Sequence, residues 1–336
     1  MTNIAVIGCG AVGLTTAIAL QNKLGSSVKI QIFASKFSPN ITSDIAAGLW
    51  EPSVYTSDSP EDRIIKWSME TYYFVMDLWK RGFAKEAGIT LQPVLKLIEE
   101  ENYSPPKWLQ NTLGYAVLSD EFLKKLSKEN NKRFTKGFQF ISFTWEASIF
   151  LPYLQEIFIN NGGRIVNKTI MQLSELSEFD VIVNSSGIGA KYLVDDDNVF
   201  PIRGQIARVY APWQFSAVQV GGNYIIPNIN CVILGGTKQK EYNTEINPAD
   251  TEFILAGCAG FVPALINAKV VKHQVGLRPG RTQVRLEMKL QKMGGRLVKV
   301  LHNYGHGGSG ITLCIGCANE AVEIIQHALN QNKSKL

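Results

Sequence analysis

The chain has 336 residues and a formal net charge of +5, with 45% hydrophobic and 19% charged residues. This balance is typical of a globular protein, and the length is sufficient for two packed units that share an interface. No apolar run approaches the ~20 residues that span a bilayer, which argues against an integral membrane protein. The basic residues form no stripe with interleaved aromatic residues, which argues against nucleic acid as a partner.

The first predicted elements form a strand, a turn, a helix and a strand. The apolar run Asn3–Gly8 predicts a buried strand, and Leu14–Leu20 predicts a helix. A second β-branched run, Val28–Phe33, predicts the next strand. Between the first strand and the helix lies a GxGxxG sequence, in the context that binds a dinucleotide.

The glycines of this turn have separate expected roles. Gly8 permits the tight turn, Gly10 allows the backbone to approach a pyrophosphate, and Gly13 allows close packing of helix and strand. The N–H groups at the helix N-terminus, with Ala11 and Val12, are expected to face the phosphates.

The end of the second strand departs from the usual dinucleotide pattern. An Asp or Glu normally binds the ribose hydroxyls there, whereas this chain has Ser35 followed by Lys36. Such a pair could accept a 2′-phosphate, so these residues alone leave NADP open as an alternative to FAD.

Two further segments of small residues are candidates for close approach to a flat cofactor. The first runs from Thr42 to Trp50 and contains Ala46-Ala47-Gly48. The second follows a predicted buried strand at Phe179–Asn184 and contains Ser185-Ser186-Gly187.

The C-terminal part carries the most specific pattern. Val275-Gly276-Leu277-Arg278-Pro279 is followed by Arg281 and Arg285, and then by the string from His302 to Thr312, which reads HNYGHGGSGIT. This string leads into a helix expected at about Ala318–Leu329. Glycines here would let the backbone lie against a flat cofactor, with the helix N-terminus facing an electron-rich edge of its ring.

Together these segments resemble the D-amino acid oxidase and D-aspartate oxidase family of FAD-dependent enzymes, from Ile4 to about His327. The resemblance favours FAD over NADP. It implies an α/β fold with a discontinuous Rossmann-like FAD-binding domain and a second, mixed or antiparallel substrate domain. The expected FAD-binding segments are 1–51, 143–198 and 286–336, and the expected substrate segments are 52–142 and 199–285.

The resemblance also implies the residues that bind FAD. Besides the glycine turn and Ser35 with Lys36, the expected residues are Thr42, Ser43, Ala47, Gly48, Leu49, Ile170, Ser186, Gly187, Gly307, Gly308, Ser309, Gly310, Ile311 and Thr312.

In the family, a hydride passes from the substrate Cα to flavin N5, the imino acid hydrolyses to a 2-oxo acid and ammonia, and O₂ is reduced to hydrogen peroxide. Arg278 is expected to bind the substrate carboxylate, since a planar guanidinium matches it with two hydrogen bonds. Tyr224 matches the family tyrosine that contacts the same carboxylate, and the Gly308 carbonyl is expected to accept from the amine. His306 is expected to support its loop and contact the flavin edge rather than to act as a base.

Two features bear on the choice of substrate. The run Leu234–Lys240 resembles the D-aspartate oxidase branch and places Lys238 where that branch holds the side-chain carboxylate. The connection from Ala211 to Tyr224 lacks Arg and Lys, which weakens that case. Despite this opposing feature, Lys238 leads us to expect a preference for D-Asp and D-Glu. A D-amino acid oxidase for neutral or basic substrates is the alternative, an NADP-linked dehydrogenase is a more remote one, and a non-catalytic relative is the most remote.

The cysteines and histidines of the chain predict no metal site. The five cysteines are scattered, as expected for free thiols, and the pair Cys314 and Cys317 lacks a second pair to complete a zinc site. The final residues Ser334-Lys335-Leu336 match the signal read by the peroxisomal import receptor, so a peroxisomal location is expected.

Overall fold

The computed structural model describes residues 1–52 and 59–333, arranged as two β-sheets joined and flanked by helices. The predicted import signal Ser334-Lys335-Leu336 lies outside the described residues. None of the described helices is long and apolar enough to cross a bilayer.

Fourteen strands and eight α-helices lie within the described residues, together with six short 3-10 helices. The strands are β1 (Thr2–Ile7), β2 (Val28–Ala34), β3 (Ile89–Ile98), β4 (Leu113–Val117), β5 (Lys136–Trp145), β6 (Arg164–Asn167), β7 (Val181–Asn184), β8 (Phe200–Tyr210), β9 (Ala217–Val220), β10 (Asn223–Pro227), β11 (Val232–Gly235), β12 (Lys269–Gly280), β13 (Arg285–Met293) and β14 (Arg296–Tyr304). The helices are α1 (Ala11–Leu24), α2 (Thr42–Ile45), α3 (Glu61–Lys80), α4 (Asp120–Glu129), α5 (Ala147–Asn160), α6 (Ala190–Leu193), α7 (Pro248–Phe261) and α8 (Gly310–Lys333).

The first sheet has the strand order β13-β14-β7-β1-β2-β6. Its strands β14, β7, β1, β2 and β6 are parallel, and β13 is an antiparallel edge strand. Ile4, Ala5 and Val6 of β1 are fully buried because both faces of this sheet are covered, which explains the continuous apolar run in the sequence. The predicted α/β, Rossmann-like fold is confirmed.

The second sheet has the order β12-β8-β11-β10-β9-β3-β5-β4. Its pairs are antiparallel except for β3 with β9, so the predicted mixed sheet is also confirmed. The strands of the first sheet come from three separate stretches of the chain. The predicted domain boundaries themselves stay a prediction.

A continuous apolar core joins the two sheets. It runs from Ile4 and Leu14 through Trp67 on α3 to Phe140 and Phe143 on β5, all buried. Burying each such side chain contributes roughly 1.5–3 kcal/mol relative to exposure. The core therefore holds the sheets in a fixed relation, and the site lies between them.

Helix α8 is longer than expected. The helix predicted at about Ala318–Leu329 begins already at Gly310 and continues to Lys333. The start was misjudged because its first turns contain glycine and β-branched residues, which favour helix weakly. Cys314 and Cys317 lie buried in these turns, and all five cysteines are free thiols, as predicted.

Candidate active site

The glycine turn brings three chain segments together at the ends of β1 and β7. Gly8 has a φ of 107°, and a Cβ on it would lie 2.4 Å from the carbonyl oxygen of Ser185. A Cβ on Gly13 would lie 2.0 Å from the carbonyl oxygen of Gly8. No side chain can therefore be added at either position without moving the backbone, and α1 starts directly beside the strand ends.

The other residues predicted near the dinucleotide lie around this turn. Ser43 Oγ accepts a hydrogen bond of 3.3 Å from the Ala11 N–H, so α2 and the N-terminus of α1 are in contact. Ser35 and Lys36 follow β2 and are exposed. Ile170 is buried and packs in the apolar cluster that contains Phe33.

The segment after β7 is fixed by its own side chains. Asn184 Oδ1 accepts hydrogen bonds from the N–H and the hydroxyl of Ser186, at 3.2 and 2.7 Å. Gly187 follows Ser186 in a left-handed conformation. Gly8 contacts Ser185, which precedes Ser186 in the chain. The predicted residues Ser186 and Gly187 therefore lie next to the glycine turn.

The glycine string follows β14 at the same edge of the first sheet as this turn, because β14, β7 and β1 are neighbouring parallel strands. Ser309, Ile311 and Thr312 are buried, whereas Gly308 is exposed to the cavity described below. Helix α8 begins at Gly310, so its N-terminus lies directly beside the glycine string. His306 is buried, and burial lowers its pKa to about 4, so the imidazole is neutral at physiological pH.

Three buried polar atoms near these segments have no hydrogen-bond partner among the described residues: Ser185 Oγ, Asn303 Oδ1 and His306 Nε2. Unsatisfied buried polar groups are rare in folded proteins and need an explanation. They occur beside two helix N-termini, which favour phosphates and electron-rich ring edges. This set of groups fits a dinucleotide that carries a polar ring, as FAD does.

A cavity of about 810 Å³ lies between the second sheet, α2 and the glycine string. Thr42, Ala47, Gly48 and Leu49 line the side toward the glycine turn. Gly48 has a φ of 80°, and a Cβ on it would lie 2.1 Å from the Trp145 carbonyl oxygen, so only glycine fits. The predicted residues Tyr224, Lys238, Arg278 and Gly308 all line this same cavity.

Arg278 and Tyr224 are held in place by glycines on neighbouring strands. A Cβ on Gly204 would lie 2.3 Å from both Nη atoms of Arg278, and one on Gly235 would lie 2.1 Å from Cζ of Tyr224. Arg278 Nη1 also donates to the Thr237 carbonyl oxygen at 3.1 Å. Each side chain therefore lies flat on the sheet with its polar end in the cavity.

Burial raises the pKa of Tyr224, and the charge of Arg278 and a hydrogen bond to it only partly oppose this rise. The phenol therefore stays protonated and can donate a hydrogen bond. A guanidinium beside a phenolic donor is suited to a carboxylate.

Three cavity residues were missed by the sequence analysis. Glu51 forms an ion pair with Lys96 and accepts a hydrogen bond from Gln219. All three line the cavity together with Lys238. The partners of Glu51 lie 45 and 168 residues away in the chain, so no local pattern signals the cluster.

The segment that carries Lys238 is anchored by a buried arginine. Arg203 is fully buried, and its Nη1 pairs with Asp250 at 2.6 Å. Its Nε and Nη2 donate to the carbonyl oxygens of Asn243 and Glu245 at 2.9 and 2.7 Å.

A dinucleotide turn that adjoins a cavity with a guanidinium, a phenol and an exposed glycine backbone defines a cofactor-dependent enzyme. Residues 3–324 match the profile of the DAO family, described as FAD dependent oxidoreductase. The chain belongs to this family, and FAD is its cofactor. This match decides against the NADP alternative.

Two curated relatives extend over nearly the whole chain. The D-aspartate oxidase of Homo sapiens is 33% identical over 332 residues, which cover 97% of this chain and 95% of the relative. The D-amino-acid oxidase of Rubrobacter xylanophilus is 35% identical over 334 residues, which cover 97% of this chain and 96% of the relative.

Among solved structures, glycine oxidase from Geobacillus kaustophilus has a TM-score of 0.78 at 17% identity and covers 97% of this chain and 95% of its own. At this identity the likeness supports the fold alone.

Proposed function

We propose that the protein catalyses the oxidative deamination of D-amino acids and prefers D-Asp and D-Glu. The observation that carries this proposal is the convergence of Arg278, Tyr224, Lys238 and Gly308 on one cavity beside the FAD-binding segments. The two curated relatives, named as a D-aspartate oxidase and a D-amino-acid oxidase, support the substrate class.

The chain's own residues would bind and orient the substrate. Arg278 and Tyr224 hold the α-carboxylate, and the Gly308 carbonyl accepts from the neutral α-amine, which fixes the direction of Cα–H. The chemistry that FAD supplies when bound is acceptance of a hydride from Cα, with O₂ as the final electron acceptor and hydrogen peroxide as product. Hydrolysis of the imino acid then gives a 2-oxo acid and ammonia.

No acid–base side chain is needed for this reaction. His306 is neutral and buried, with a pKa lowered to about 4 by desolvation. Its role in this proposal is to support the glycine string and to contact the flavin edge. Catalysis then rests on orientation and on the cofactor.

The preference for acidic substrates rests on Lys238, which lines the cavity and is exposed to it. A lysine supplies charge without the two-pronged geometry of arginine, so recognition of the side-chain carboxylate would be moderate. The second candidate is an oxidase of neutral or basic D-amino acids. The absence of Arg and Lys between Ala211 and Tyr224 favours it.

The test is peroxide release from the purified yellow holoenzyme with D-Asp, D-Glu, D-Ala and L-Asp in parallel. Oxidation of D-Asp or D-Glu faster than D-Ala, with L-Asp inert, is the expected result. Preference for D-Ala would keep the reaction and move the protein to the second candidate. Absence of peroxide with every D-amino acid would overturn the proposal.

A peroxisomal location stays a proposal that rests on Ser334-Lys335-Leu336 in the sequence. A fluorescent protein fused to the N-terminus should co-localise with a peroxisomal marker. Deleting these three residues should return the fusion to the cytosol, and an unchanged distribution would refute the signal.

A further inference from the structure

The segment that follows β11 leaves the regular strand pairing where it reaches the substrate cavity. Gly235, the last residue of β11, is the register partner of Ile206 on β8. The next antiparallel bridge joins Gln239 to Arg203. Between these two pairs β8 has two residues and the segment opposite has three, which is a β-bulge. Bulges beside functional sites redirect side chains and backbone groups.

The bulge segment, residues 235–239, is held against β8 by a threonine side chain. Thr237 Oγ1 accepts a hydrogen bond of 2.9 Å from the Gln205 N–H. In a regular ladder a backbone carbonyl oxygen would accept from this N–H, and in the bulge the hydroxyl takes its place. Gln205 is fully buried, so loss of the hydroxyl would leave a buried N–H without its acceptor, which is unfavourable.

The bulge segment supports both side chains that are proposed to hold the substrate α-carboxylate. Arg278 Nη1 donates to the Thr237 carbonyl oxygen at 3.1 Å. The ring of Tyr224 lies against the two glycines that precede this threonine. A Cβ on Gly235 would lie 2.1 Å from its Cζ, and one on Gly236 would lie 2.7 Å from its Oη. The position of the bulge segment therefore sets the direction of the guanidinium and of the phenol.

Thr237 influences the cavity only through these neighbours. The residue is 7% exposed and is not part of the cavity wall. The far end of the bulge segment has its own anchor, because Gln239 Oε1 accepts from Arg203 Nη1 at 2.5 Å and Gln239 Nε2 donates to Asp250 Oδ1 at 3.0 Å. Removing the Thr237 hydroxyl should therefore shift the middle of the segment and leave its end in place.

We propose that Thr237 is a positioning residue, whose hydroxyl fixes the bulge segment on β8 and thereby aligns Arg278 and Tyr224 for the substrate α-carboxylate. This inference rests on the proposed function, because its consequence is the binding of a D-amino acid. The α-carboxylate is common to all D-amino acids. Loss of the hydroxyl should therefore affect every substrate alike, whatever its side chain.

The experiment removes the hydroxyl and nearly keeps the shape of the side chain. Thr237→Val should lower kcat/KM about tenfold for D-Asp and D-Ala alike, chiefly through a higher KM, because carboxylate binding is weakened. Thr237→Ser retains the hydroxyl and should keep kcat/KM within about twofold of the unsubstituted protein. A loss confined to one substrate, or an equal loss in Thr237→Ser, would overturn the inference.

Thr251→Val is the matched control. Gln205 Nε2 donates to Thr251 Oγ1 at 2.8 Å, so this variant removes a hydrogen bond of similar length from the same glutamine. The glutamine amide keeps its bond of 2.9 Å to the Asn247 carbonyl oxygen, and the bulge segment keeps all its contacts with β8. Activity should stay within about twofold. Equal losses in the two valine variants would assign both threonines a general structural role and contradict the proposal.

A binding measurement on the holoenzyme gives a readout independent of turnover. Propionate is a carboxylate without the amine, and it can be titrated against the absorption spectrum of the bound flavin. Its dissociation constant should rise about tenfold in Thr237→Val and stay within about twofold in Thr237→Ser and Thr251→Val. Should Thr237→Val fail to fold, Thr237→Ala removes the same hydroxyl with a smaller side chain and should give the same result.

The outcomes separate this inference from the proposed function. If the unsubstituted protein binds propionate but oxidises no D-amino acid, the proposed function fails, and the dissociation constants still test Thr237. If oxidation occurs but Thr237→Val binds propionate as tightly as the unsubstituted protein, Thr237 has no positioning role, and only the inference is overturned. If propionate is neither bound nor any D-amino acid oxidised, both fail.

Discussion

The guanidinium of Arg278 lies directly over Gly204, so close that a Cβ at residue 204 would be 2.3 Å from both of its Nη atoms. Arg278 on β12 is the register partner of Ile202 on β8, and Gly204 is its diagonal neighbour. The missing side chain at Gly204 thus lets the arginine fold flat across the sheet toward the cavity.

Gly204→Ala should therefore lower kcat/KM for every D-amino acid by roughly 100-fold, because the added methyl group displaces the guanidinium that we propose binds the substrate carboxylate. The flavin spectrum should persist, since Gly204 lies away from the glycine turn. Gly260→Ala on α7 is the matched control, because a Cβ there meets nothing within 4 Å. Near-normal activity of Gly204→Ala would show that Arg278 does not bind substrate.

Features encoded within short stretches of chain were predictable. The turn at Gly8–Gly13, the first parallel strands and the segments carrying Arg278 and Gly308 depend on neighbours a few residues apart. The cluster of Glu51, Lys96 and Gln219 was not predictable, because it forms only when β3 pairs with β9 in one particular register. A shift of one residue would turn Lys96 to the opposite face, and nothing local in the sequence sets that register.

The same reasoning applies to Arg203. Its sequence context indicates an ordinary strand residue, yet its partners come from residues 239–250, which follow β11. Charged groups are rarely buried without such partners. That a buried arginine needs partners was foreseeable, but only the folded structure shows which residues are the partners of Arg203.

Lys238→Met should reduce kcat/KM for D-Asp and D-Glu about tenfold and leave D-Ala within about twofold, because it removes a cation from the cavity wall. Steady-state peroxide assays with the three substrates provide the measurement. Lys240→Met is the matched control, since Lys240 lies over the Phe200 ring, 5.0 Å from its centroid, and does not line the cavity. Equal losses for all three substrates would assign Lys238 a structural role.

Asp196→Ala should destabilise the fold by about 3–5 kcal/mol, because it removes the carboxylate that pairs with the partly buried Arg281 and one of the two carboxylates that pair with Arg285. The Asp196 side chain is 4% exposed, and its Oδ2 lies 2.7 Å from Tyr304 Oη, 3.1 Å from Arg281 Nε and 3.3 Å from Arg285 Nη1. Arg281 packs against Gly305, so the glycine string should loosen as well.

Thermal unfolding of the holoenzyme checks the Asp196 prediction, with release of free FAD as a second signal. Asp77→Ala is the control, because its ion pair with Arg81 is about 60% exposed on both sides and contributes less than ~1 kcal/mol. Similar unfolding temperatures for the two variants would refute a stabilising role for Asp196.

The stability of the protein should fall as the pH decreases from about 6.5 to about 4, because His302 and His306 are buried as neutral groups. Desolvation lowers the pKa of both to about 4 from 6.5. Below 6.5 the unfolded chain binds protons that the folded chain does not, so each histidine costs up to about 3 kcal/mol by pH 4. Above about pH 7.5 the histidines are almost wholly unprotonated in both states, and their contribution is flat.

Urea unfolding across this pH range tests the prediction, and the carboxylates can be separated from the histidines. Despite burial, nearby cations and hydrogen bonds lower the pKa of Glu51 and of Asp196 from the ordinary values of 4.5 and 3.8, so their stabilising contributions begin to be lost only below about pH 5.5. Loss of stability above about pH 5.5 therefore reports the histidines. His306→Gln should flatten this part of the curve by about half, whereas the exposed His327→Gln on α8 should not change it. An identical slope in the two variants would mean that His306 is protonated to the same extent in the folded and unfolded chain, which is incompatible with a buried neutral imidazole in the glycine string.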